Sequence, residues 1–231
     1  MKKKLLSLAL AVALVAIGVV GTLAYLTDTS GDMVNTFTVG NIGIELDEAV
    51  VEESDGEYKY VATDSRTKRG QSYENLLPGD KVQKDPTINM LTNSVDGWVF
   101  IEVTMKSSQA RVFAKAAGVA DTTAITDATV AEAVLGNYDA DKWTLESYKT
   151  AGEGDAETVT FVLGYNEACS AGDKAVLFTE LVVPASLENA DMEAIDGMTM
   201  TFFARAIQKS GVADLAAAYD ALYADLGFTA Y

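Results

Sequence analysis

The 231-residue chain has no histidine, one cysteine and three prolines. Without histidine, Ser-His and Cys-His nucleophile pairs are excluded, and so are the zinc-protease signatures, which need paired histidine ligands. The lone Cys169 cannot close an intramolecular disulfide, so stability has to come from a packed core. With no imidazole to activate it, that thiol reads as a small buried side chain. Positive charge is also scarce: 17 Lys and Arg stand against 34 Asp and Glu, a formal net charge of −17. This makes nucleic acid a poor partner, since phosphate binding needs a basic surface, and it disfavours anionic membranes. The sequence has no glycine-rich phosphate loop, internal repeat, low-complexity tract or long linker.

What is present starts at the N-terminus, "MKKKLLSLALAVALVAIGVVGTLAYL". Lys2, Lys3 and Lys4 precede a stretch from Leu5 to Thr27 without a charged residue. A helix of about 20 apolar residues can span a bilayer. A basic start, an apolar centre and small residues before a cut also describe a secretory signal. Thr22 and Ala24 are small enough for the two specificity pockets of a signal peptidase, which places the cut between Ala24 and Tyr25, with Leu23 turned away. Cleavage is the expectation and a retained anchor the alternative; in both, the lysines stay inside and the remainder is exported.

The expected organisation is a signal peptide over 1–24 and one domain over 25–231, long enough for a real core. The cut removes three lysines and no acid, leaving 14 basic and 34 acidic residues, a net −20. Such charge keeps a secreted protein soluble and slows self-association, more so at low salt. Export without disulfides fits a Gram-positive bacterium.

Along the mature chain, "MVNTFTVGNIGIELD" alternates. Phe37 and Val39 share a face, and after Gly40-Asn41 come Ile42, Ile44 and Leu46, a half-buried strand with a glycine kink. A short strand is expected at "EYKYVAT" and a solvated loop at "DSRTKRGQS". Pro78-Gly79 signals a turn, because Pro presets φ and Gly supplies a positive φ after it. The clearest strand is "DGWVFIEVTMKS", with Val99, Ile101, Val103 and Met105 on one face and Trp98, Phe100, Glu102 and Thr104 on the other. Residues 107–136 are alanine-rich and read as a helical insertion. Strands resume at "KWTLESYKT", "ETVTFVLGYN", "KAVLFTELVVP" and "MTMTFFARAIQ". Val212, Leu215, Ala216, Tyr219, Leu222 and Tyr223 then fall at helical spacing. About eight strands with few prolines make a mainly β, two-sheet sandwich the economical architecture.

Candidate chemistry is thin. No two carboxylates stand out among 34 acids as a catalytic pair, so no residue is assigned to catalysis. Asn137, Asp139 and Asp141 alternate as at the start of a calcium loop, but Lys142 stands where glycine is needed and Tyr148 where the closing Glu is needed. A turn before the strand at Trp143 is the plainer reading, an irregular calcium cage the alternative. Tyr58, Tyr60, Trp98 and Phe100 lie on strands and, if exposed, would stack on sugars; buried cross-strand aromatics are the commoner case.

The signal end "GTLAYLTDT", followed by "NTFTVGNIGIEL", resembles the start of TasA, camelysin and their relatives. That family has a Gly-Thr-aromatic-Ala signal end, an aromatic and an Asp shortly after, then an Asn/Thr-Phe-x-x-Gly strand. Leu23 replaces the usual aromatic here, while Tyr25 and Asp28 take the later positions. "NLLPGDKVQKDPTI" is similar to the family's Pro-Gly-Asp turn and following strand. "MTMTFFARAIQKSGVADLAAAYDAL" more loosely resembles the closing strand and helix of biofilm-matrix members; residues 107–136 match nothing in the pattern. The resemblance implies a jelly-roll-like sandwich with flanking helices, export through a SipW-type signal peptidase, and assembly into extracellular matrix fibres. In such fibres the freed N-terminal segment of one subunit adds as a strand to the next. Phe37, Val39, Ile42 and Ile44 would then belong to the donated strand; the alternative is that 33–46 completes its own sheet. Implied partners are copies of the chain, other matrix or cell-surface proteins and the signal peptidase. Camelysin-like metallopeptidase activity and a non-polymerising carbohydrate-binding module are the alternatives. No cofactor is expected, calcium excepted.

Overall fold

A computed structural model of the protein describes residues 41–54, 56–61, 65–119 and 128–231. In chain order the strands begin with β1 (Ile44–Ala49), β2 (Val51–Ser54), β3 (Glu57–Tyr60), β4 (Arg66–Thr67), β5 (Lys81–Gln83) and β6 (Thr87–Met90). Then come β7 (Gly97–Lys106), helices α1 (Ser107–Ala116) and α2 (Ala128–Val134), β8 (Trp143–Ala151) and β9 (Thr158–Tyr165). The chain closes with β10 (Lys174–Val176), β11 (Glu180–Val182), α3 (Asn189–Ile195), β12 (Thr201–Gln208), α4 (Leu215–Tyr223) and β13 (Thr229–Ala230). The protein is mainly β, as expected, with short helices beside the sheets.

The first layer is a five-stranded antiparallel sheet ordered β12-β7-β9-β8-β13. Its period-2 alternation sorts β7 onto two faces as the sequence predicts. Val99, Ile101, Val103 and Met105 join Val159, Phe161 and Leu163 of β9 in the main core, against Ile88 and Met90 of β6. Neither face is left to solvent, however. Trp98 and Phe100 are buried with Val162 beneath α4, so the apolar side chains of both faces add to stability, about 1.5–3 kcal/mol for each fully buried one.

Helix α4 starts where the Asp214 carboxylate accepts the Ala217 N–H at 2.9 Å. Its Tyr219 and Tyr223 rings stand 6.2 and 5.6 Å from the Phe100 ring. Gly164 of β9 makes room for this approach. A Cβ there would meet the Phe100 ring at 2.9 Å, Leu215 at 3.0 Å and the Glu146 carboxylate at 3.1 Å. Burial, followed by the charge of Asp220, pushes the Glu146 carboxyl above its ordinary value of 4.5. The folded state therefore holds that proton when the unfolded state has released it. Stability from this group is present below 4.5 and falls as pH rises through the raised value. Glu146→Gln should raise the melting temperature at pH 7 and leave it unchanged near pH 3, read by calorimetry at both.

The second layer consists of two four-stranded sheets, β10-β6-β1-β4 and β11-β5-β3-β2. They share one ladder. Lys174 pairs with Asn89 and Val176 with Thr87, and the same register resumes with Glu180 opposite Gln83 and Val182 opposite Lys81. Between them Leu177 N–H donates to Pro86 C=O and Lys84 N–H to Thr179 C=O. Pro86 has no N–H to give, so the ladder loses a bond there and the sheet divides. The expected strand "KAVLFTELVVP" is accordingly two, β10 and β11. Farther on, Leu77-Pro78-Gly79-Asp80 forms the expected turn: Gly79 has φ +96°, and Asp80 N–H donates to Leu77 C=O at 3.0 Å.

Helices α1 and α2 sit inside the anticipated 107–136 region, and both bury an apolar stripe in the main core: Ala110, Phe113 and Ala114 from α1, Val130, Ala131 and Val134 from α2. Two sequence expectations need correction. "DSRTKRGQS" is not all loop, since Arg66-Thr67 pair with Ala49-Glu48 of β1. Helix α3 was not anticipated; Asp191 at its third position accepts the Glu188 N–H at 3.2 Å, a capping box built from two acids instead of Ser and Glu. Trp98 and Phe100 lie buried under α4, the commoner case for cross-strand aromatics, while Tyr58 and Tyr60 are half-buried.

Candidate functional site

A β protein exposes unpaired N–H and C=O groups at its strand edges, and these either recruit another strand or must be blunted. Most edges here are blunted. β13 and β4 are two residues long. β2 presents exposed Glu52 and Glu53. Along β10 and β11 the first residue of β8 and the loop before it take the outward carbonyls: Trp143 Nε1–H donates to Val176 C=O at 2.8 Å, Asp139 N–H to Leu177 C=O, and Asn137 Nδ2 to Glu180 C=O at 3.3 Å.

The exception is β12. Its eight residues pair with β7 on one side, and no strand among the described residues pairs with the other. Phe203, in the middle, is 51% exposed. Next to it the Arg205 guanidinium lies 5.0 Å from the Phe203 ring and 5.5 Å from that of Tyr223, with Nε donating to Glu102 at 2.5 Å. That bond to Glu102 chiefly holds the Arg205 charge in place, raising its pKa against the cost of burial.

Beside the start of β12 opens a cleft of about 330 Å³, bounded by Leu46 and Glu48 of β1, the Lys68–Gln71 loop, Lys84 and Phe202. Asp47, Glu48, Gln71 and Lys84 of its lining belong to a seam of polar side chains that replaces the ladder where Pro86 breaks it. The Asp85 carboxylate accepts the Ala49 N–H at 2.6 Å and Arg66 Nη1 at 2.8 Å; Arg66 Nε donates to Asp47 at 2.7 Å. Burial alone would lower the Arg66 pKa, but the Asp85 and Asp47 carboxylates outweigh it and the net shift is upward. Gln71 accepts the Val51 N–H and donates to Ala49 C=O, both at 2.9 Å, as a missing strand would. Lys84 and Glu48 form a buried ion pair, and the Lys84 ammonium stands 5.0 Å from the Phe202 ring. Tyr60 donates its hydroxyl to Thr179 C=O at 2.8 Å; burial and then Asp85 push this phenol up to about 12.

Of the residues the sequence singled out, Thr22, Ala24, Tyr25, Phe37 and Val39 lie outside the described residues. Ile44 begins β1 and pairs with Met90 of its own chain. Ile42 is half-buried and fills the space a side chain at Gly97 would need, at the junction of β7 and β12. Asp139 is engaged by the Lys142 ammonium at 2.9 Å and by the Asp141 N–H at 3.2 Å, the turn geometry of the plainer reading. Among the described residues no group of three His, Cys, Asp or Glu gathers to hold a metal ion. Cys169 is buried and unpaired, its thiol pushed up to about 11 by burial, then by Asp173 and Glu167. Sequence reasoning missed Lys84, Glu48, Arg66 and Asp85. The one signal for them is a charged pair, Lys84-Asp85, directly ahead of Pro86 in a strand-like stretch. No family model, curated protein or solved structure matches the chain.

Proposed function

We propose that the chain is an exported structural protein of an extracellular or biofilm matrix. In this reading a SipW-type signal peptidase frees it at Ala24, and it assembles head to tail by adding its N-terminal segment to the β12 edge of the next copy. The β12 edge carries the reading: it is long, presents an apolar side chain and adjoins a cleft, whereas the other edges are short, charged or covered. Addition of this kind does not close on itself and gives filaments. The donated segment would contain Phe37 and Val39, whose alternate side chains suit a groove beside a sheet edge. Its partners are copies of itself and other matrix or cell-surface proteins, and no residue carries catalysis.

The test is electron microscopy of purified chain beginning at Tyr25, beside chain extended ahead of Tyr25 and beside Phe203→Lys. Filaments are expected from the first. The extended chain and Phe203→Lys should stay monomeric, because one blocks the donor end and the other places a charge on the receiving edge. Monomers from the unextended chain at every pH tried would sink the reading.

A further inference from the structure

Lys84 and Glu48 are in direct contact at the base of the cleft, with side chains only 8% and 9% exposed. Glu48 projects from β1 and Lys84 from the break between β5 and β6, 36 residues apart in sequence. The ammonium lies 5.0 Å from the centre of the Phe202 ring and 5.7 Å from that of Tyr73. The Tyr73 hydroxyl is buried and has no hydrogen-bond partner among the described residues. Burial, and then the neighbouring Glu48 charge, push that phenol well above its ordinary value, so it remains a proton donor. A buried amine and a buried carboxyl are thus held in contact beside two aromatic rings, in a chain that has no disulfide.

We propose that Lys84 and Glu48 react within the folded chain to form an amide cross-link between their side chains. The ammonium first passes a proton to the carboxylate along their hydrogen bond, giving amine and carboxylic acid. The Nζ lone pair then attacks the Glu48 Cδ, forming the C–N bond and placing negative charge on the carbonyl oxygen. The nitrogen gives up a proton to the departing hydroxyl, the C–O bond breaks and one water leaves through the cleft. Nothing is oxidised or reduced, and no further reactant is needed. Amide formation from free acid and amine is unfavourable in bulk water, but groups fixed in contact reach effective concentrations of about 10^5 M or more.

The experiment is mass spectrometry of the exported, mature wild-type chain, intact and after trypsin. The expected intact mass is one water below that of the linear sequence. Trypsin should fail to cut after Lys84 and should release a branched peptide joining Lys84 to Glu48. Lys84→Arg keeps the positive charge but has no such nucleophile and should recover the full mass, with circular dichroism confirming the fold. A wild-type chain of full mass, cleaved normally after Lys84, overturns the proposal, as does a missing water that maps to any other residue. Because the wild type decides the matter, a variant that fails to fold does not, and filament formation plays no part in the readout.

Discussion

Trp143→Ala should lower the unfolding free energy by about 3–5 kcal/mol, the range for truncating a buried Trp, and move the urea midpoint accordingly. Trp143 is 1% exposed, and its ring meets Tyr165 edge-on at 5.1 Å. Its indole N–H also holds Val176 C=O at 2.8 Å, so the variant leaves a carbonyl of β10 without its partner. Against a total stability of about 5–15 kcal/mol for an ordinary domain, this is a large share. The variant should also aggregate without order, since removing the indole uncovers an edge that Trp143 and the loop before it otherwise close. Trp143→Phe separates the two effects: it keeps much of the packing and should cost closer to 1 kcal/mol. Equal midpoints for Trp143→Ala and wild type would mean that this corner of the core collapses without penalty.

Lys84→Met should be comparably severe, at about 3–5 kcal/mol, because the Glu48 carboxylate is then buried without its cation. Adding Glu48→Leu removes the stranded charge and should regain most of that loss, since well-packed apolar residues can replace a buried ion pair at little cost. With the proposed cross-link in the wild type, both variants also lose its contribution, the single variant in addition to the cost of the stranded charge, and the double variant then stays below wild type by that contribution. Joining positions 36 residues apart is worth about 3–4 kcal/mol on the loop-entropy argument. Denaturant titration of the two variants and wild type reads all three quantities. A single variant as stable as the double would show that Glu48 finds water or another cation when Lys84 is lost.

Much of the sandwich was legible because its strands obey a local rule. The alternation of Val99, Ile101, Val103 and Met105, the Pro78-Gly79 turn and the helical spacing of Leu215, Ala216, Tyr219, Leu222 and Tyr223 are each set within a dozen residues. What covers a face is not local. Trp98 and Phe100 look the same whether solvent or α4 lies over them, and a segment more than a hundred residues later decides it. The division of the second layer is equally remote, because it needs Pro86 and the Leu177–Thr179 stretch to meet. The seam was illegible for a related reason. Glu48 and Asp85 are two acids among 34, and only the fold brings Lys84 and Arg66 to them. Helix α3 escaped because its cap uses Glu188 and Asp191, whereas the usual signal is a hydroxyl followed by an acid.

The position of β1 has a mechanical meaning. The segment that leads into it emerges from a strand flanked on both sides, by β6 over Ile44–Asp47 and by β4 over Glu48-Ala49, with the Asp85 and Gln71 side chains bonded to its end. A filament joined through that segment transmits tension along the strand axis. The load then falls on the β1–β6 bonds together, in shear, instead of opening them one at a time like a zip. In the proposed fibre, a subunit loaded this way would resist pulling far better than one held at a frayed edge.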